Sequence, residues 1–69
     1  MIMTPIKNKT YFIGFKGYHE YDGYIGRAKC LNDRPDKDGW FKFELLDPTL
    51  GEEKTALFAK EDIKSEINL

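Results

Sequence analysis

His19 is the one imidazole of the 69-residue chain, and Glu20 and Asp22 stand close enough to orient it for acid–base work. A sole histidine in a tyrosine-rich turn is ordinarily a surface residue, so no catalytic role is expected for it. Cys30 is the only cysteine, which excludes an internal disulfide. It alternates with Arg27 and Lys29 and shares a phase with Ala28, so it reads as a small core residue rather than a nucleophile, which needs an exposed, electropositive setting. One cysteine and one histidine also rule out a Cys/His zinc site. Asp33, Asp36 and Asp38 have a spacing like that of a calcium loop, but Arg34 and Lys37 lie among them. The twelfth loop position is Glu44, inside an expected strand, so metal binding fails on context. No glycine-rich phosphate loop is present. The chain is therefore read as not an enzyme, with no catalytic residue, metal or cofactor.

Binding chemistry is better represented. Tyr18, Tyr21, Tyr24 and Trp40 fall in or beside expected turns, outside the apolar sets that would face a core. Tyrosine and tryptophan give large contact areas at low entropic cost, so this aromatic set is the expected protein-binding patch. A second set, Phe12, Arg27, Lys29 and Trp40, could bind nucleic acid by ring stacking and phosphate contact, with Lys7, Lys9 and Lys16 adding to a basic face. Glu52, Glu53, Glu61, Asp62 and Glu66 invite a further alternative, an acidic inhibitor lying in the basic groove of a nucleic-acid enzyme.

These side chains need a scaffold, and composition bounds it. With 41% apolar and 33% charged residues, the chain has a globular composition and room for a single domain, residues 1–69. The formal net charge of -1 weighs against a protein that works mainly by surrounding nucleic acid with positive charge. Charge is unevenly placed: six basic against three acidic residues up to Arg34 give +3, and five against nine thereafter give -4. No apolar run approaches the roughly 20 residues of a membrane span, and no signal peptide is legible, so a cytoplasmic protein away from membranes is expected.

Four apolar runs carry the fold. Tyr11, Ile13 and Phe15 alternate inward in the first, with Phe12 outward. Ala28 and Cys30 alternate with Arg27 and Lys29 in the second. Phe41, Phe43 and Leu45 alternate with Lys42 and Glu44 in the third, the clearest strand signal in the chain. The segment 32–39, rich in Asp with Pro35 and Gly39, is a loop, and Pro48 and Gly51 mark a turn. In the fourth run, 54–59, helix and strand compete. Thr49 and Glu52 fit a capping box, and Ala59, Ile63 and Ile67 keep helical spacing. A strand over 55–59 is preferred because it would return beside 40–46. A short helical turn from Lys60 to Ile67 then follows, within a C-terminal segment 60–69. Residues 1–9 form an N-terminal tail or an edge segment. The expectation is an all-β domain, a small barrel of four to five antiparallel strands with that helical turn.

The order of features resembles the SH3-like small barrels. The matching stretches are Glu20-Tyr21-Asp22-Gly23-Tyr24 in a tyrosine-bearing excursion, Gly39-Trp40-Phe41 where a tryptophan opens the third strand, and Phe58-Ala59-Lys60-Glu61-Asp62-Ile63, where a fourth strand leads into a helical turn. The resemblance spans roughly Thr10 to Ile63. The alanine-leucine-tyrosine-aspartate-tyrosine run of the peptide-binding SH3 domains is absent, and Lys60-Glu61-Asp62 stands where their groove-closing proline and tyrosine would be. The resemblance therefore implies the architecture and not recognition of proline-rich peptides. The functional expectation is a small accessory or regulatory protein-interaction module. Nucleic-acid binding is the alternative, and a homo-oligomer formed through an open sheet edge is a third course.

Overall fold

Period-two alternation of large apolar and polar residues gives each strand one face for a core and one for water. The computed structural model describes residues 4–17, 23–47 and 54–67. Five strands form there: β1 (Thr10–Phe15), β2 (Tyr24–Cys30), β3 (Trp40–Leu45), β4 (Thr55–Ala59) and β5 (Ile63–Ile67), with a 3-10 turn (Lys60–Asp62) between β4 and β5. They make one antiparallel sheet of order β4-β3-β2-β1-β5, so the chain is all-β as its alternation implied. No helix among the described residues is long and apolar enough to cross a membrane.

The sheet curls around its inner face. Phe15 on β1 and Phe58 on β4 stand three strands apart in the order, about 14 Å in a flat sheet, yet their ring centroids are 5.7 Å apart. Phe58 also lies 5.8 Å from Tyr24 and 5.7 Å from Phe43, so a single ring joins four strands. Tyr11, Ile13, Tyr24, Ala28, Cys30, Phe41, Phe43, Phe58 and Ile63 form the buried cluster. The inward sets read from β1 and β3 lie on this face, with Phe15 and Leu45 partly buried against the cluster. Cys30 is fully buried and its thiol points to the Asn32 carbonyl at 3.1 Å. Burial pushes that thiol upward in pKa, the opposite of what a nucleophile needs.

Residues 4–9 run into the sheet. The Ile6 amide donates to the Tyr11 hydroxyl at 2.8 Å, and Asn8 and Lys9 exchange backbone bonds with Cys30. Asn8 makes the intervening bend in the left-handed region, φ 72°, which asparagine tolerates better than most residues.

The C-terminal helical turn is shorter than the spacing of apolar residues implied. It occupies only Lys60–Asp62, where the Asp62 carboxylate accepts the Ala59 amide at 3.1 Å. From Ile63 the chain is a strand. β1 offers a second row of backbone donors and acceptors, and β5 satisfies them, pairing Ile13 with Ile63 and Thr10 with Ile67. A register shift between Phe12 and Ile13 accommodates one extra residue in β5.

Candidate interaction surface

β2 sets the geometry, because its two ends have different neighbours. Its last residues, Ala28–Cys30, pair with β3, whereas Tyr24–Arg27 pair only with β1 among the described strands. The stretch after β3 completes this half. The Leu46 amide donates to the Arg27 carbonyl at 3.0 Å, and the Asp47 carboxylate accepts the Arg27 amide at 2.6 Å. The same carboxylate takes the guanidinium, with Nη2 at 2.9 Å and Nε at 3.2 Å. These bonds hold the Asp47 carboxyl below the usual carboxylate range and raise the Arg27 guanidinium. The Tyr24 hydroxyl completes the knot. It donates to the Arg27 carbonyl at 2.5 Å and accepts from the Asp47 amide at 3.3 Å. Gly26 is required at its centre, since a Cβ there would stand 2.9 Å from the carboxylate and 3.0 Å from the Tyr24 hydroxyl.

Tyr24 therefore does not belong to an exposed aromatic patch. It is 7% exposed and its ring stacks on Phe58. The reason is phase: the inward alternation of Cys30 and Ala28 runs back through Gly26 to Tyr24. Trp40 opens β3, half-buried and on the outward phase shared with Lys42 and Glu44. Its backbone is fixed by Asp36, whose carboxylate accepts the Trp40 amide at 3.0 Å and the Asp38 amide at 2.9 Å. Asp36 thus shapes its own loop, with Gly39 supplying a positive φ of 87°. Tyr18 and Tyr21, with His19, lie outside the described residues.

Of the basic and aromatic set, Phe12 and Arg27 are cross-strand partners on the outer face, and Lys29 follows two residues on from Arg27, opposite Thr10. Trp40 is not beside them. Arg27 sits level with Leu46, just past the end of β3 and six residues from Trp40, or roughly 20 Å of extended chain. The cations in this region also have acidic neighbours: Arg27 is paired with Asp47, and Lys29 stands opposite Glu44.

Two residues missed by the sequence reading complete a different surface. Ile25 is 76% exposed and Leu46 39%, beside Phe12 at 37%. Ile25 pairs with Gly14 and so lies diagonally from Phe12, within reach of a long side chain. Leu46 flanks Arg27 from the other side. Ile25 was legible as an apolar residue on the polar phase of Arg27 and Lys29, and Leu46 as a break in the alternation after Leu45. No family model, curated protein or solved structure matches this chain.

Proposed function

We propose that the chain is a small protein-interaction module of SH3-like architecture that binds a protein partner through Phe12, Ile25 and Leu46 around Arg27. The strand order and the 3-10 turn immediately after β4 support the architectural part of this reading. One observation carries the functional part: three exposed apolar side chains gather on the outer face around an arginine whose charge is already matched. Apolar anchors rimmed by polar groups are how protein interfaces are built. A phosphate-tracking surface needs cations free of carboxylates, and both Arg27 and Lys29 face one here.

Ile25→Asp tests the reading, because Ile25 is exposed and its replacement leaves the core intact. Tagged wild type and variant are used to recover partners from source lysate with and without nuclease. A protein recovered by the wild type after nuclease and lost with Ile25→Asp is the expected result. Partners that vanish with nuclease and ignore the substitution would overturn it in favour of nucleic acid.

A further inference from the structure

We propose that the free edge of β4 pairs antiparallel with β4 of a second copy of this chain, about a two-fold axis at Leu57. β4 is the outermost strand on its side of the sheet, and no described strand pairs with it beyond β3. Its five residues, Thr55–Ala59, carry no charge and no proline. Edge strands of that kind are templates for further pairing.

The backbone phase makes this edge complementary to itself. The Lys54 carbonyl accepts the Leu45 amide at 2.8 Å, so Lys54, Ala56 and Phe58 turn their backbone polar groups toward β3. Thr55, Leu57 and Ala59 turn theirs outward. The Ala59 amide is already taken by the Asp62 carboxylate, and its carbonyl, at the N-cap of the 3-10 turn, accepts the first bond of that turn. With the axis at Leu57, the two Leu57 residues exchange N–H···O bonds with each other. Thr55 stands opposite Ala59, whose amide and carbonyl are both engaged, so the Leu57 pair carries the backbone bonding between the copies. Leu57, 52% exposed in one copy, packs against its symmetry mate on the outer face. Such pairing consumes the edge and closes as a dimer, because an isologous contact leaves no second copy of itself to extend. The interface is small, well below the roughly 800 Å² per partner of a standard stable complex, so association is weak and depends on concentration.

Sedimentation of the intact chain from about 10 μM to 1 mM reads this directly, in buffered salt that screens Lys54 from Lys60 of the other copy. The expected result is a mass rising from monomer toward dimer and no further. Leu57→Lys, at an exposed position, keeps the wild-type circular dichroism spectrum and weakens association about tenfold or more. A wild type that stays monomeric throughout, or a folded Leu57→Lys that associates as wild type does, overturns the proposal. Oxidative crosslinking checks the axis. A bonded antiparallel pair holds its Cα atoms about 5.5 Å apart, within disulfide reach. Leu57→Cys therefore links to itself and Thr55→Cys does not, with buried Cys30 out of reach. The reverse pattern overturns the register.

Discussion

β4 and β5 close the two ends of one sheet, and each places one buried side chain in the core. Phe58 anchors β4, 2% exposed and in ring contact with Phe15, Tyr24 and Phe43. Ile63 anchors β5, 8% exposed beside Ile13 across the β1–β5 pairing. Outside the core the order reverses. β5 carries Lys64 and Glu66 and a register shift, all of which discourage another strand from adding. β4 has none of these; only its last residue is closed, the Ala59 amide by the Asp62 carboxylate and the Ala59 carbonyl by the 3-10 turn. How firmly a strand is held and how well its edge is guarded are thus separate properties of the sequence. Among the described residues, the strand with the larger anchor is the one with the less guarded edge.

The largest effect tests the anchors. Phe58→Ala removes the ring shared by four strands and should cost about 3–5 kcal/mol, whereas Ile63→Ala, a smaller deletion at a residue 8% exposed, should fall in the lower part of the range of about 2–5 kcal/mol. Urea unfolding of both variants measures the difference. An Ile63→Ala cost equal to or above that of Phe58→Ala would break the ranking.

Much of this architecture was legible because alternation reports which face a residue takes. Phe41, Phe43 and Leu45 against Lys42 and Glu44 fixed β3, and with it the strand β4 that returns beside it. β5 was misread for a definite reason. Ala59, Ile63 and Ile67 are four residues apart, and a spacing of four returns to one face in a strand as well as in a helix. What decides is the vacant side of β1, a tertiary fact that no local pattern carries. Tyr24 was misplaced because Gly23 beside it reads as a turn, while its alternation with Gly26 and Ala28 reads as a strand. The knot of Tyr24, Arg27 and Asp47 joins positions 20 and more residues apart, so only the folded register reveals it.

A middling effect concerns acid. Asp47 ties the chain leading toward β4 to the middle of β2, whereas β5 has no part in that knot. Its carboxyl is depressed by the side-chain bond to Arg27 and then by the bond from the Arg27 amide. A depressed carboxyl stabilises the fold above its unfolded-chain pKa, and that contribution is lost as pH falls through the folded value. Wild type should therefore lose stability as pH drops below about 4, and Asp47→Asn should lack this portion of the acid dependence. Hydrogen exchange at neutral pH should find Asp47→Asn faster in β4 amides and little changed in β5. Equal acceleration in both strands would mean that the knot supports the whole sheet and does not distinguish its ends.

The smallest effect falls on the guarded edge. The Lys64 stem lies over Gly14, where a Cβ would meet Cε at 2.9 Å, and the residue is exposed. Lys64→Ala removes one exposed charge and leaves both Glu66 and the register shift in place. Stability should change by no more than about 0.5 kcal/mol, as for most surface substitutions. The edge should also stay unpaired, because a bulged strand twists its donors and acceptors away from the straight ladder a second strand needs. In sedimentation Lys64→Ala should match wild type, while the same change in the Leu57→Lys background should associate no more than Leu57→Lys alone. New association in that double variant would show that the lysine, and not the bulge, guards β5. The contrast between the two edges would then come down to a single side chain.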